Sequence, residues 1–165
     1  MRPPLAAKKA ARHLPFATEI ALAGVDVRRP ADGLATLPEA VVGHGVAVNG
    51  PAVNGLAALP RPLALSVVGA MLGDVSPALA EDRDLTVVEQ DLCEFFTTEV
   101  PVGTLQETWP AAESIPFALR RREPHPRWTR TLPPDENLIV CTFSVKASFG
   151  ESAWYWLQPQ KLLLQ

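Results

Sequence analysis

The sequence has few cysteines, little excess charge and no long apolar run. Its 165 residues include two cysteines, and 15 basic against 18 acidic side chains leave a net charge of −3. The cysteines, Cys93 and Cys141, lie inside apolar periodic segments, which favours buried, reduced thiols over a disulfide. Because the chain has no basic excess for a phosphate backbone, we expect no nucleic-acid binding.

The chain also lacks the marks of a membrane or exported protein. No stretch approaches the ~18 consecutive apolar residues that a membrane-spanning helix needs. Glu19 interrupts the apolar residues that follow the basic N-terminus, so this segment does not resemble an export signal. We therefore expect a cytosolic protein.

Motifs of common catalytic and cofactor sites are absent as well. No serine lies in a G-x-S-x-G elbow, and no glycine-rich loop of the Walker or dinucleotide type occurs. The histidines, His13, His44 and His125, are far apart and have no second ligand at metal-binding spacing. We expect no catalytic residue, no cofactor, no metal and no small-molecule substrate.

A chain of this length can bury one core. We divide it into a loosely ordered N-terminal arm, residues 1–33, and a folded domain, residues 34–165. Within the arm, residues 16–27 have enough apolar density for one short element. The 17 prolines against 10 glycines predict short elements and long connections.

The first half of the folded domain contains signals for a hairpin and a helix. "AVNG" occurs at residues 47–50 and 52–55, and Asn-Gly pairs are turn signals between apolar runs. The simplest interpretation is strand, turn, strand. The next segment, "PRPLALSVVGAMLGD", has Pro62 near a helix start and apolar residues at helical spacing, and it ends at Gly73.

A second helix begins in "LTVVEQDLCEFF", residues 85–96. Thr86 can accept from the first-turn N–H groups while Glu89 reaches back to the Thr86 N–H, which is a capping box. Asp84 adds negative charge at the positive end of the helix dipole.

The apolar face of this helix is predicted from spacing, and Pro101 predicts a kink or break. Leu105 and Trp109 continue the periodicity beyond it. The residues predicted to share the apolar face are Val88, Leu92 and Phe95 or Phe96.

The C-terminal third is predicted to be extended. In "LIVCTFSVKAS" every second residue from Ile139 to Ala147 is apolar, and the residues between them are Val140, Thr142, Ser144 and Lys146, the pattern of a strand with one face on a core. "FGES" then turns the chain into "AWYWLQP", forming an antiparallel hairpin, and "SIPFALRR" is an earlier strand. Trp154 and Trp156 lie on one face of the last strand, where either core packing or a protein interface would explain them.

In order, these motifs resemble the middle domain of the flagellar motor switch protein FliM. That family has a helix ending in a glycine loop, an "LT-x-IE" helix running to an "EAW"-like end, an "E-x-N-P" loop, then "PPNE" and a long strand. The resemblance covers about residues 56–159. The matching residues are Leu72, Gly73, Leu85, Thr86, Glu89, Glu107, Trp109, Glu123, Pro126, Pro133, Pro134 and Glu136.

The resemblance implies an α+β fold like that of the CheC and CheX chemotaxis phosphatases, a pseudo-two-fold domain with long helices on an antiparallel sheet. It implies a non-enzymatic interaction module of the motor switch, cytoplasmic and peripheral to the inner membrane at the basal body. FliG-like and neighbouring FliM-like proteins are the expected partners, with FliN or CheY bound through domains not present here. The alternative is a CheC-type phosphatase of phospho-CheY or a degenerate relative outside the motor.

Two departures from the family pattern matter. The phosphatases of this fold need a glutamate and an asparagine one helical turn apart, and no Glu-x-x-Asn occurs in this sequence. The family's second loop glycines are replaced here by "GDVS". We predict that the loop from Gly73 to Asp84 lies at one end of the domain and presents an acidic partner surface. The predicted interface residues are Gly73, Asp74, Glu81, Asp82 and Arg83, and Thr86 and Glu89 are predicted to be structural.

Overall fold

The computed structural model describes residues 5–108, 117–126, 129 and 132–163. In these residues, six strands form one sheet in the order β1-β5-β6-β3-β2-β4, and every neighbouring pair is antiparallel. The strands are β1 (Glu19–Arg28), β2 (Val41–Val48), β3 (Val53–Pro60), β4 (Phe117–Glu123), β5 (Leu138–Ala147) and β6 (Gly150–Pro159).

The described residues also form five α-helices. They are α1 (Leu5–Ala11), α2 (Pro30–Ala35), α3 (Arg61–Met71), α4 (Val87–Thr97) and α5 (Gly103–Thr108). A π-helical turn, Thr98–Val102, joins α4 to α5, and a 3-10 turn, Gln160–Leu163, follows β6. The π turn contains Pro101, so the predicted irregularity is present. Trp109 and residues 114–116 of the predicted strand lie outside the described residues.

The strand order has an internal symmetry. The hairpins β2–β3 and β5–β6 meet where β3 pairs with β6, and each hairpin takes its outer neighbour from the other half of the chain. Exchanging β1, β2 and β3 for β4, β5 and β6 leaves this order unchanged. The predicted α+β fold with a pseudo-two-fold sheet is therefore confirmed.

Part of the predicted arm is an edge strand. Residues 19–28 form β1, which pairs with β5 from Glu19↔Lys146 to Arg28↔Leu138. The short element expected within residues 16–27 is this edge strand, and β5 supplies backbone partners that the local sequence cannot reveal. Ahead of β1, Ala6, Ala10 and Leu14 belong to the core. The division of the chain at residue 33 stays a prediction.

The duplicated "AVNG" serves two different purposes. Asn49 and Gly50 adopt positive φ angles of 59° and 143° in the connection between β2 and β3. Asn54 instead lies in β3, where its side-chain Oδ1 accepts from the Val48 N–H at 2.8 Å and its Nδ2 donates to the Val48 oxygen at 3.0 Å. The first copy forms the turn, and Asn54 of the second copy bonds the backbone of Val48 at the end of β2.

The sheet buries apolar side chains on both faces. A larger cluster joins the helices to one face, and it includes Val46, Leu63, Phe96, Trp154 and Trp156. A smaller cluster, which contains Leu34, Leu37, Leu56, Val140 and Leu157, covers part of the other face. The period-two alternation of β5 is confirmed, since Cys141, Phe143 and Val145 contact the larger cluster and Val140 the smaller one.

The tryptophans of β6 are core residues. Trp154 stacks on Phe143 with ring centroids 4.1 Å apart and planes 6° apart, and Trp156 meets Phe117 edge to face at 5.4 Å. The indole Nε1 of Trp156 donates to Gln158 Oε1 at 2.7 Å. Both tryptophans are buried, so packing explains them and an exposed interface does not.

Candidate functional site

The start of α4 is a complete capping box. The Glu89 N–H donates to Thr86 Oγ1 at 3.2 Å, and the Thr86 N–H donates to Glu89 Oε1 at 2.9 Å. Arg83 adds two hydrogen bonds of 2.7 Å to the two carboxylate oxygens of Glu89. The Arg83 bonds, followed by the Thr86 N–H, lower the pKa of Glu89 to about 2.

The apolar face of α4 differs from its predicted phase. Phe96 and Cys93 are buried, whereas Val88 is 65% exposed and Phe95 is 49% exposed. The prediction that Val88 belongs to the buried face is therefore wrong. Of the two alternatives Phe95 and Phe96, it is Phe96 that enters the core. Tertiary packing chose the buried stripe among several apolar positions at helical spacing.

Residues 72–86, here called the return segment, lie along α3. At the C-terminal end of α3, the Asp74 N–H donates to the Gly69 oxygen at 2.8 Å. Midway, the Ala80 N–H donates to Ser66 Oγ at 2.9 Å. At the N-terminal end, Arg61 binds Asp82 through two hydrogen bonds of 2.8 and 2.9 Å and Asp84 through one of 2.7 Å. The segment thus returns the chain to the beginning of α3, where α4 begins.

This path separates the residues predicted to form one partner surface. Gly73 and Asp74 lie at one end of α3 and Asp82 and Arg83 at the other, and ten helical steps of 1.5 Å make that helix about 15 Å long. The prediction that the loop lies at one end of the domain is wrong. The twelve residues from Gly73 to Asp84 are enough to run beside the eleven residues of α3, and their contacts to Ser66 and Arg61 hold them there.

The charges of the return segment are also partly satisfied within the chain. Asp82 and Asp84 share Arg61, and Arg83 pairs with Glu89. Asp74 and Glu81 are exposed, and their side chains form no ion pair with other described residues. Gly73 has φ +94°, a conformation that side chains rarely adopt. Near it, Leu72 and Val75 expose apolar side chains.

A groove of about 400 Å³ lies between β2, β4 and the beginnings of α3 and α4. We call it the His44 groove. Apolar side chains from β2 and two loops line part of it, namely Val41, Val42, Leu85 and Pro124. Its polar lining consists of His44, Arg61, Asp84, Gln90, Arg122 and Glu123.

His44 is the most deeply buried polar residue of this groove. It is 2% exposed, and its Nδ1 has no hydrogen-bond partner among the described residues. Burial lowers its pKa from 6.5 to about 4, and Glu94 opposes this effect more strongly than Arg122 adds to it. The imidazole is therefore neutral at pH 7, with one donor nitrogen and one acceptor nitrogen.

Arg122 fastens α4 to the edge strand β4. Its Nε donates to Glu94 Oε2 at 3.0 Å, its Nη1 donates to Gln90 Oε1 at 3.2 Å, and its Nη2 donates to Asp91 Oδ1. These three partners lie on two successive turns of α4, so one guanidinium ties this side of the helix to β4.

Sequence reasoning missed Arg61, Arg122 and the importance of His44. A usable signal was present, because the basic run "RRR" in a strand and the acidic helix "EQDLCE" have complementary charges. The ladder between β2 and β4 has a bulge between Gly45 and Val46, and this bulge decides which arginine of β4 faces α4. The sequence does not reveal the bulge.

The described residues contain no metal-binding arrangement. No group of three or more His, Cys, Asp or Glu side chains among them could hold a metal ion. Cys93 and Cys141 both lie in the described residues and neither forms a disulfide; burial raises the pKa of Cys93 to about 11. Among the same residues, no helix has the length and apolar character to cross a membrane.

Comparison with solved structures identifies the fold. A chain in the FliG–FliM complex from H. pylori matches with a TM-score of 0.83 and 16% identity over 93% of this chain and 84% of that one. The FliM middle domain from Vibrio alginolyticus matches with a TM-score of 0.74 and 18% identity over 97% and 94%. This chain has the fold of the FliM middle domain.

The same fold occurs in relatives of FliM. FliY from Thermotoga maritima matches with a TM-score of 0.80 and 14% identity over 98% of this chain and 85% of that one. CheX from Vibrio vulnificus gives 0.54 at 17% identity over 85% of each chain. No protein-family model and no curated protein sequence matches this chain. The FliM-like and CheC-like fold expected from the motifs is confirmed.

The capping box generates a stability prediction. Thr86→Ala removes the acceptor of the Glu89 N–H, so we expect the free energy of unfolding to fall by about 0.5 to 2 kcal/mol in urea denaturation. Thr98→Ala, at the exposed end of the same helix, is the matched control and should change it by less than about 0.5 kcal/mol. Equal stability of the Thr86→Ala and wild-type proteins would contradict a stabilising cap.

The burial of His44 generates a pH prediction. Between about pH 6.5 and pH 4 the unfolded imidazole binds a proton that the folded one does not, so the free energy of unfolding should fall as the pH is lowered. The contribution is at most about 1.4 kcal/mol per pH unit. His44→Phe should flatten this slope. An unchanged slope in His44→Phe would show that His44 is protonated in the folded protein.

Proposed function

We propose that this chain is a non-enzymatic protein-interaction module of a flagellar motor switch that contributes to torque generation and to switching of rotation. The supporting observation is a FliM-type fold over more than nine-tenths of the chain, in a sequence without Glu-x-x-Asn. Its place would be the cytoplasmic side of the basal body, beside the inner membrane. Partner binding would then be its whole activity.

The proposed partners follow from what similar structures contain. The H. pylori structures include a FliG–FliM complex and a FliM–SpeE complex. We propose that this chain binds a FliG-like protein and neighbouring FliM-like domains. Contact with FliN or CheY would pass through domains other than this one.

The positions of the acids on α4 support a role without catalysis. Glu89 belongs to the capping box and binds Arg83, while Asp91 and Glu94 bind Arg122. Each carboxylate thus has a structural partner, and no asparagine follows any of them by one helical turn. A hydrolytic water would lack the acid and amide pair that positions it.

A CheC-type phosphatase is the second candidate, because CheX and a CheC-like protein from Shewanella share the fold with TM-scores of 0.54 and 0.53. The test is the decay of phospho-CheY with and without this chain, using an active CheX as the positive control. We expect the spontaneous rate. Faster decay in proportion to the concentration of this chain would overturn the non-enzymatic assignment.

The partner surface is proposed to include the two ends of the return segment. One end carries Gly73 and Asp74, and the other carries Glu81, Asp82 and Arg83. Because Asp82 and Arg83 stabilise the fold through Arg61 and Glu89, their replacement would mix stability with binding. Asp74 and Glu81 are cleaner probes, one at each end.

Charge reversal at these probes tests the proposal. We expect Asp74→Lys and Glu81→Lys, singly and together, to slow association with a FliG-like partner at low salt, and the difference should shrink at high salt. Biolayer interferometry at two salt concentrations measures this, with circular dichroism as a check on folding. Asp26→Lys, on the opposite edge of the sheet, is the control. Equal association rates for wild type and the double variant at low salt would exclude an electrostatic role for the segment.

A further inference from the structure

We propose that Asn49 is a site of deamidation and that the fold protects Asn54 from the same reaction. The two asparagines have identical immediate neighbours, since each follows Ala-Val and precedes Gly. A difference in their reactivity must therefore come from the fold rather than from the neighbouring residues. Neither asparagine belongs to the proposed partner surface, so the inference does not depend on the proposed function.

Deamidation joins an asparagine side chain to the backbone nitrogen of the next residue. The Gly50 nitrogen, after giving its proton to a base, attacks Cγ of Asn49 and closes a five-membered succinimide ring. The bond between Cγ and Nδ2 breaks, and Nδ2 leaves as ammonia with the proton that the base returns. Water then opens the ring at one of its two carbonyl groups, which yields aspartate or isoaspartate. Glycine favours the attack, because it has no side chain to obstruct it and its backbone is the least restricted.

The connection between β2 and β3 leaves both reacting groups of Asn49 and Gly50 accessible. Both residues are exposed, with positive φ angles of 59° and 143°. The Asn49 side chain and the Gly50 N–H form no hydrogen bond with any other described residue. A Cβ placed on Gly50 would meet no atom within 4 Å. The turn therefore has the space to rotate the Gly50 nitrogen toward Cγ of Asn49.

Asn54 is held in a geometry that prevents the reaction. Its Oδ1 accepts from the Val48 N–H at 2.8 Å, and its Nδ2 donates to the Val48 oxygen at 3.0 Å. The next residue, Gly55, is buried in β3, which lies between β2 and β6. A Cβ on Gly55 would lie 3.0 Å from the Leu157 oxygen, so this backbone is closely packed. Attack on Asn54 requires the loss of both side-chain hydrogen bonds and the opening of a paired strand.

The reaction at Asn49 changes the charge of the turn without removing the bonds that close it. An aspartate at this position adds one negative charge to a chain whose net charge is −3, and aspartate tolerates a positive φ as asparagine does. An isoaspartate also adds a negative charge and inserts one carbon into the backbone of the turn. Asn54 keeps its two bonds to Val48 in either case.

The experiment follows deamidation of the whole folded chain in neutral and in mildly alkaline buffer. No Lys or Arg lies between the two asparagines, so one tryptic peptide contains both, and fragment-ion mass spectrometry assigns the gain in mass to one of them. We expect Asn49 to react at least about tenfold faster than Asn54, which reacts only when its strand opens. The rate at Asn49 should rise with pH, because the attacking nitrogen must lose its proton.

Two controls separate the effect of the fold from that of the sequence. In guanidinium chloride the unfolded chain should deamidate at Asn49 and Asn54 at similar rates, since their immediate neighbours are the same. Asn49→Asp has no amide to lose and should show no gain in mass at residue 49. The proposal is overturned if Asn54 reacts as fast as Asn49 in the folded protein, or if folded Asn49 stays unmodified over the time in which the unfolded chain reacts.

Discussion

The helical layer depends on the guanidinium of Arg61. This side chain lies at the first residue of α3 and holds Asp82 and Asp84, which are 21 and 23 residues further along the chain. It therefore fixes the end of the return segment beside the start of α3. The capping box then begins α4 at that place, and Arg122 ties α4 to β4. Three arginines, Arg61, Arg83 and Arg122, thus position one helix.

Under the proposed function, partners would contact the surfaces that the core leaves exposed. Helices cover one face of the pseudo-two-fold sheet and the smaller cluster covers part of the other, which leaves the outer sides of the helices, the return segment, the sheet edges and the uncovered part of that face for contacts. The three acids of α4 all bind arginine side chains. Arg61, Asp84 and Arg122 of these ion pairs also line the His44 groove.

Local features were predictable from the sequence, and long-range ones were not. The capping box, the Asn49-Gly50 turn and the alternation of β5 depend on neighbours within a few residues, and the structure contains all three. The phase of α4 was not predictable, because Val88, Phe95 and Phe96 are all apolar and the sheet decides which of them is buried. The same holds for β1, whose partner β5 lies more than a hundred residues away.

The residues of the candidate site also divide into those predictable from local sequence and those that depend on long-range contacts. Thr86 and Glu89 were found because a capping box has a fixed spacing. The sequence predicts the interface at one end of the domain because nothing in the return segment reveals that Ser66 and Arg61 hold it along α3. His44 looked like an isolated histidine, since the groove around it is assembled from strands and helices that are distant in sequence. The ordered motifs nevertheless identified the fold that the solved structures share.

Amide hydrogen exchange in an Arg61→Met variant tests most directly whether Arg61 fixes the return segment along α3. We expect exchange at Ala80, whose N–H donates to Ser66, and at Glu89 in the capping box to accelerate about fivefold or more, since local opening would cost roughly 1 kcal/mol less. Amides of β5 and β6 should keep the wild-type rates. Unchanged exchange at Ala80 and Glu89 in the folded variant would contradict the account.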